Sequence, residues 1–189
     1  DVVNGGSGND SLSGGNGNDI IYGLTGDDSI AGGAGNDRIL GHSGNNHLDG
    51  GDDDDVIVGG SGNDSIDGDG GADVINGLWG NDSIAGGAGE DRLMGHDGDD
   101  FIDGGDDGDV IDGGRGDDEL TGGAGRDIHV FNSGDGNDQI TDFEVDEDRL
   151  NLLAISDISD FSDLMANHAS DDGVGNVLIS YGSDSIRLL

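Results

Sequence analysis

Cysteine and lysine are absent from the 189-residue chain, whose six basic residues are all arginine. Without cysteine, no disulfide supports the fold. Aromatic residues make up only 4% of the chain, and every apolar run is far shorter than the ~20 residues that span a membrane. These absences exclude a disulfide-stabilised scaffold and a membrane-spanning helix.

Positive charge is scarce, whereas the chain holds 43 acidic residues and a net charge of −37. Almost all of the acids are aspartate rather than glutamate. The short aspartate side chain tolerates turn geometry and reaches an ion beside its own backbone. A merely solvated acidic surface would not need that bias. The charge excludes nucleic acid as a partner, and it predicts a chain that stays unfolded until something neutralises it.

Glycine is the most conspicuous residue that is present, with 42 copies, and it follows a repeat. A nine-residue unit recurs fourteen times without a gap from Gly5 to Val130, as in Gly-Gly-Ala-Gly-Asn-Asp-Arg-Ile-Leu at residues 32–40. The first position is always Gly. The sixth is Asp except at Asn46, and the eighth is Leu or Ile except at His129. We expect His129 to mark the edge of the core.

The repeat predicts a turn over positions one to six and a short strand over positions seven to nine, with the eighth side chain pointing inward. Two repeats then form one coil of eighteen residues, and the fourteen repeats form about seven coils. One aliphatic core residue per nine cannot offset the entropy cost of ordering the chain. A cationic stabiliser is therefore expected. The predicted core residues are Leu12, Ile21, Ile30, Ile39, Leu48, Ile57, Ile66, Ile75, Ile84, Leu93, Ile102, Ile111 and Leu120.

Stacking of the coils places the sixth-position residues in two columns, one from the odd-numbered and one from the even-numbered repeats. Facing carboxylates would repel unless a hard divalent cation lay between them, completed by turn carbonyls, and Ca²⁺ prefers such oxygen ligands. Mg²⁺ needs a tighter octahedron, and Zn²⁺ would need His or Cys ligands. Six gaps in each column allow up to about twelve ions. Turns held by hydrogen bonds alone are the alternative interpretation.

The repeat resembles the RTX (repeats-in-toxin) calcium-binding family, and the resemblance covers all fourteen copies and, more weakly, the tail. It implies an all-β fold, a right-handed parallel β-roll (β-solenoid) with a small mixed C-terminal cap. It also implies Ca²⁺ bound by the sixth-position carboxylates and by carbonyls of the Gly-rich turns. The implied aspartates are Asp10, Asp19, Asp28, Asp37, Asp55, Asp64, Asp73, Asp82, Asp91, Asp100, Asp109, Asp118, Asp127 and Asp138. The implied fourth-position glycines are Gly8, Gly17, Gly26, Gly35, Gly44, Gly62, Gly71, Gly80, Gly89, Gly98, Gly116 and Gly125.

Several positions depart from the repeat. Asn46 replaces a ligand, so we expect weaker sites beside it or none. Asp53 and Asp107 replace the fourth-position Gly and either strain the turn or add a carboxylate. They lie 54 residues apart, and residues 23–67 align with residues 77–121, which indicates duplication of a six-repeat block. His42 and His96 are expected to be exposed turn residues rather than transition-metal ligands.

The outward strand residues differ between even-numbered and odd-numbered repeats. Odd repeats show mostly Ser, Ala, Asp and Thr. Even repeats predict an apolar stripe that docks the tail, a neighbouring domain or a second copy, although a general strand preference for such residues is the alternative. The stripe consists of Ile20, Tyr22, Leu40, Val56, Val58, Val74, Met94, Val110, Ile128 and Val130.

The sequence predicts two regions, a roll over residues 1–130 and a capping segment over residues 131–189. Residues 133–138 resemble one more turn of the roll. Residues 160–169 predict a helix with Phe161, Leu164 and Met165 on one face and Ser159 as its N-cap. Residues 177–189 predict a hairpin around Gly182. Residues 1–4 read as the end of an earlier repeat, so we expect the chain to begin inside a longer protein.

The sequence shows no nucleophile–base arrangement, and its Gly-rich turns are not followed by the helices of a nucleotide-binding site. Every carboxylate pair that could mimic a glycosidase belongs to the repeat. The RTX resemblance implies a secreted or cell-surface bacterial module without catalytic activity, exported unfolded by type I secretion machinery and folded outside by Ca²⁺. Two alternatives stay open. The chain is the C-terminal part of a secreted protease, lipase or alginate epimerase, or it belongs to an adhesin, surface-layer or biofilm protein.

Overall fold

The chain forms a parallel β-solenoid with a small mixed sheet at its C-terminal end. The structure, a computed structural model, describes residues 1–171, 173 and 175–189, without the side chain of Phe161. Two sheets form the opposite faces of the roll. Sheet A contains β1 (Val2–Ser7), β3 (Ile20–Thr25), β5 (Arg38–Ser43), β7 (Val56–Ser61), β9 (Val74–Trp79), β11 (Arg92–Asp97), β13 (Val110–Arg115), β15 (Ile128–Asn132) and β17 (Arg149–Ala154). Sheet B contains β2 (Ser11–Asn16), β4 (Ser29–Ala34), β6 (His47–Asp52), β8 (Ser65–Gly70), β10 (Ser83–Ala88), β12 (Phe101–Asp106), β14 (Glu119–Ala124), β16 (Asn137–Ile140), β20 (Asp184–Leu188), β19 (Val177–Tyr181) and β18 (Ala169–Asp171).

Each coil stacks on the next with an offset of eighteen residues. Ile21 pairs with Ile39, and Ile39 pairs with Ile57. The predicted two-repeat coil is therefore confirmed. The count of coils is eight rather than seven, because β15 and β16 add one more turn of the roll.

The strands are longer than the repeat predicted. Each spans six residues in the regular roll, positions seven to nine and the first three positions of the following repeat. Only positions four to six remain in the turn. Parallel strands pair through backbone groups, so a second-position glycine joins the ladder although it has no side chain to pack, as Gly15 does with Gly33.

The core consists of two facing rows of aliphatic side chains at the predicted eighth positions, one row from each sheet, although Leu12 in the first coil is only partly buried. From Ile21 to Leu120 every eighth-position residue is fully buried. Phe131 and Ile140 continue the core into the tail. His129 does not mark its edge, since the imidazole is 0% exposed and its residue pairs with Leu150 of β17. Burial lowers the pKa of His129.

The tail closes both sheets. Strand β17 extends sheet A, and β20 extends sheet B in parallel with β16 before the β19–β20 hairpin reverses direction. The predicted hairpin is confirmed. Strand β15 crosses residue 130, and the division of the chain at that point stays a prediction.

A short helix, α1 (Phe161–Asp163), continues as one π-helical turn over Leu164–His168. Asp160 rather than Ser159 caps it, because the Asp160 carboxylate accepts the Asp163 backbone N–H at 2.9 Å. Leu164 packs against the core and Met165 is exposed, while the predicted packing of the Phe161 side chain lies outside the described residues. Among the described residues, no helix is long and apolar enough to cross a membrane.

Candidate metal-binding site

The sixth-position side chains form two continuous ladders along the roll. Each backbone N–H donates to the Oδ1 atom of the sixth-position residue one coil further on, at 2.6–3.1 Å. The ladders therefore confirm the two predicted columns. The first ladder contains Asp10, Asp28, Asn46, Asp64, Asp82, Asp100, Asp118 and Asp138. The second contains Asp19, Asp37, Asp55, Asp73, Asp91, Asp109, Asp127 and Asp148.

The second carboxylate oxygen of each predicted aspartate has no hydrogen-bond partner. All fourteen aspartates predicted as metal ligands bury an Oδ2 atom in this way. A buried, unpaired carboxylate oxygen is costly, because burial removes its water without supplying a donor. The regular spacing of these oxygens indicates a cation along each ladder. The fourteen residues are Asp10, Asp19, Asp28, Asp37, Asp55, Asp64, Asp73, Asp82, Asp91, Asp100, Asp109, Asp118, Asp127 and Asp138.

A backbone carbonyl lies close to the same place as eleven of the fourteen free oxygens. A Cβ atom on Gly59 would lie 2.5 Å from Asp64 Oδ2 and 2.9 Å from the carbonyl oxygen of Gly77 in the next coil. The same arrangement recurs at Gly50, with Asp55 Oδ2 at 2.5 Å and the carbonyl oxygen of Gly68 at 2.9 Å. The absence of a side chain at the first position therefore leaves two oxygens of different origin beside one small space.

The pKa values of the ladder aspartates indicate that neither water nor protein donors stabilise their negative charge well. Burial raises the pKa of Asp64 and Asp82 to about 6 and of Asp73, Asp100 and Asp109 to about 7, against the partial compensation of the ladder hydrogen bonds. The pKa of Asp138 rises to about 8 for the same reason. A proton or another cation beside these carboxylates would stabilise them in the fold.

Asn46 is the exception among the sixth-position residues, because both polar atoms of its side chain form hydrogen bonds within the protein. Its Oδ1 accepts the Asp28 N–H, so the ladder continues. Its Nδ2 donates to the Gly44 carbonyl at 3.2 Å and to Asp64 Oδ1 at 3.0 Å. The amide group therefore supplies donors where the aspartates have an unpaired oxygen.

The predicted fourth-position glycines all lie in the turns with positive φ. Side chains would also clash at some of these positions. A Cβ atom on Gly62, for example, would lie 2.3 Å from the carbonyl oxygen of Gly44 in the preceding coil. Asp53 and Asp107 adopt the same conformation, at φ 78° and 76°, which is strained for a residue other than glycine. The positive φ values bear out the first of the two alternatives predicted for these aspartates, a strained turn.

Sequence reasoning missed two features of the ladders. The first is the place of the first-position carbonyl beside most of the free oxygens. The second is Asp148, which extends the second ladder by accepting the Asp127 N–H at 3.1 Å. Its Oδ2 accepts the Glu144 N–H at 2.7 Å, so Asp148 has no free oxygen. The sequence Asp148-Arg149-Leu150 repeats Asp91-Arg92-Leu93 and was the signal for its place.

An outer ladder lies beside the first one on the surface. Side chains at the fifth position accept the fifth-position N–H of the following coil, as Asn45 does from Asn63 at 2.8 Å and Asn63 from Asn81 at 3.1 Å. This ladder explains the asparagine and aspartate at that position in the odd repeats. The first three even repeats also have Asn or Asp there, and Asp54 accepts the Ala72 N–H at 2.9 Å. The later even repeats have Ala72, Glu90, Gly108 and Arg126 instead, so their turns depend more on the inner ladder.

The donor set fits a hard cation that takes oxygen ligands. Among the described residues, no group of three or more His, Asp or Glu side chains could hold a metal ion, so backbone carbonyls must complete any coordination sphere. Carboxylate and carbonyl oxygens are the ligands of Ca²⁺, which tolerates irregular geometry. His42 and His96 are exposed, as expected, with His42 stacked on Tyr22 and the His96 ring 3.2 Å from Asn76 Oδ1.

The chain was compared with known protein families and with solved structures. The RTX calcium-binding nonapeptide repeat (4 copies) matches residues 1–30, 13–48, 22–57, 49–84, 76–111, 94–128 and 103–140. The crystal structure of extracellular lipase LipA from Serratia marcescens is similar at 17% identity and a TM-score of 0.49. That similarity covers 96% of this chain and 36% of the lipase chain. No curated protein matches the sequence.

Proposed function

The chain belongs to the RTX calcium-binding nonapeptide repeat family, whose repeats bind Ca²⁺ at multiple sites, and from that premise we propose that it is a non-catalytic module folded by calcium. Ca²⁺ would be held by the free Oδ2 atoms of the ladder aspartates and by turn and first-position carbonyls. Ions that bind only the folded roll add their binding free energy to its stability.

One observation carries this proposal. All fourteen aspartates predicted from the repeat bury a carboxylate oxygen without a hydrogen-bond partner. A roll held by hydrogen bonds alone would resemble Asn46, whose amide group is satisfied within the protein. The ladders instead combine repulsion between neighbouring carboxylates with free oxygens, and bound divalent cations would remove both costs.

The cellular setting is part of the same proposal. A module that lacks order at low calcium suits export as an unfolded chain, through type I secretion machinery, followed by folding in the calcium-rich extracellular space. We propose a secreted or cell-surface location on this basis. The half-buried apolar stripe of sheet A favours a docking role as well, because the tail leaves all ten of its residues partly accessible.

Counting bound calcium tests the proposal. After equilibrium dialysis against calcium at neutral pH, elemental analysis should find several ions on each chain, with about twelve as the upper limit for one ion in each gap. Replacement of Asp64, Asp82 and Asp100 by Ala should lower the count. A chain that retains no calcium after dialysis would contradict the proposal.

The substitution Asn46→Asp should add calcium to the first ladder. The change replaces a satisfied amide by a carboxylate with a free oxygen, between Asp28 and Asp64. We expect about one or two more ions per chain, because Asn46 borders two gaps. Asp100→Asn is the matched control in the same ladder, and its count should fall instead. An unchanged count in both variants would show that the sixth position does not decide occupancy.

Acid should partly replace calcium in stabilising the roll. The pKa of Asp73, Asp100 and Asp109 is raised by burial to about 7 in the fold. The folded chain therefore binds more protons than the unfolded chain between about pH 4 and pH 7, and its stability falls as the pH rises through that range. In chelator, circular dichroism should show β-structure increasing as the pH is lowered from 8 to about 5. A signal that does not change with pH would contradict the burial of unpaired carboxylates.

A further inference from the structure

The two outer faces of the roll differ in shape. Sheet A projects side chains at the second position of the repeat, where Leu24, His42, Leu78 and His96 adopt φ values of 74–85°. Such a conformation costs about 1–3 kcal/mol for a residue other than glycine. In sheet B the same position is glycine in every strand from β2 to β14 except at Asp69 of β8. At this position sheet A therefore carries protruding side chains and sheet B is flat, although Phe101 of β12 projects from sheet B and is 44% exposed.

The two faces also differ in polarity. The outward residues of sheet A include the apolar stripe, and Trp79 beside it is 60% exposed. The corresponding residues of sheet B are mostly small and polar, as in Ser65 and Ala85. Flat sheets of small residues and sheets with larger apolar side chains can pack face to face at about 10 Å.

Charges occur on both faces at the same interval. Arg38 of β5 and Arg92 of β11 are exposed on sheet A, three coils apart. Asp49 of β6 and Asp103 of β12 lie on sheet B, also three coils apart. Arg38 and Asp49 belong to one coil, and Arg92 and Asp103 belong to another. A copy stacked with sheet A on sheet B, without a shift along the roll, brings each arginine to the level of an aspartate.

The negative field on sheet B is strong enough to affect its own acids. Asp49 and Asp67 are direct neighbours in β6 and β8. The pKa of Asp69 is raised by burial and then by the charges of Asp67 and Asp49. A facing guanidinium group would relieve this repulsion. Strands β2 to β16 of sheet B contain no arginine that could do so within the same chain.

The contact area is sufficient for a specific interface. Seven strands at about 4.8 Å and six residues at about 3.3 Å give a face of about 34 Å by 20 Å. Two such faces remove about 1,300 Å² from water, which lies within the range of about 1,200–2,000 Å² for stable protein interfaces.

We propose that sheet A of one copy docks on sheet B of a second copy, in the same orientation, with Arg38 and Arg92 at the same levels along the roll as Asp49 and Asp103. This inference rests on the docking role in the proposed function and names its partner. Because the two faces lie on opposite sides of each roll, the contact does not close on itself and repeats into filaments.

Sedimentation velocity in calcium, over a wide range of protein concentration, tests this contact. The chain should form species larger than dimers as the concentration rises. The double variant Arg38→Glu and Arg92→Glu should associate at least about a hundredfold more weakly, since like charges then face each other. Addition of Asp49→Arg and Asp103→Arg to that variant should restore association. Arg126→Glu, in an exposed turn outside both faces, is the matched control and should have no effect.

Either of two other results would contradict the stacking of sheet A on sheet B. A chain that stays monomeric throughout has no such interface. Association that stops at dimers and is not restored by the charge exchange indicates contact of sheet A with sheet A. Circular dichroism of every variant with and without calcium separates the two proposals, because it reports whether calcium folds the roll independently of whether the rolls associate.

Discussion

A chelator at neutral pH should expand the chain from a radius of gyration of about 16 Å to about 46 Å, the values for a folded and an unfolded chain of this length. The ladder aspartates bury fourteen unpaired carboxylate oxygens, and the chain carries a net charge of −37. Each coil of the roll contributes only two aliphatic side chains to the core. We therefore expect the repulsion along both ladders to exceed what this core can stabilise when no counter-ion is bound.

Small-angle scattering with calcium titration measures this change, and circular dichroism follows the gain of β-structure. Both signals should change together and cooperatively. Magnesium at the same concentration should fail to compact the chain, because it prefers a smaller octahedral site and releases its water reluctantly. A compact, fully ordered roll in chelator at neutral pH would contradict the role of cations in folding.

The substitution Gly59→Ala should lower both stability and calcium affinity. Its Cβ would lie 2.5 Å from Asp64 Oδ2 and 2.9 Å from the Gly77 carbonyl oxygen, in the space where the proposed ion is held. Overpacking of a rigid interior costs about 1–3 kcal/mol. For a chain of this size the melting temperature in calcium should fall by about 2–12 °C. Thermal unfolding followed by circular dichroism measures the change.

Gly70→Ala is the matched control for Gly59→Ala. Gly70 has no atom within 4 Å of the position of a Cβ, and its φ lies outside the left-handed region. The melting temperature of this variant should change by less than about 2 °C, the effect of ordinary surface substitutions. If both variants lose stability equally, the space beside the first-position glycine has no special role.

The sequence was sufficient to predict the solenoid, its eighteen-residue coil and the two columns of aspartates. The reason is that each repeat contacts only its neighbours, so a fixed period in the chain becomes a fixed offset in space. The period also predicted the buried line from Ile21 to Leu120. The extent of each strand could not be read from it, because glycines at positions one and two resemble turn residues although they pair in the ladder.

The tail shows where the period stops being informative. Asp148 occupies a ladder position 21 residues after Asp127, and Asp138 follows Asp118 by 20 residues. The insertion of three residues hid Asp148 from a search at a fixed offset, whereas Asp138 was predicted because residues 133–138 still resemble a turn of the repeat. The first-position carbonyls were also hidden, since a backbone oxygen has no letter in the sequence. His129 was misjudged because the strand that covers it, β17, lies beyond the last repeat.

The eighteen-residue offset limits how such a protein can grow or shrink. Loss or gain of one nonapeptide would move every later strand to the opposite sheet, so that Arg92 would lie on the acidic face and Asp103 on the apolar face. The block shared by residues 23–67 and 77–121 is displaced by 54 residues, which is three whole coils and leaves each strand on its own side. Heritable changes in length are therefore expected only in even numbers of repeats.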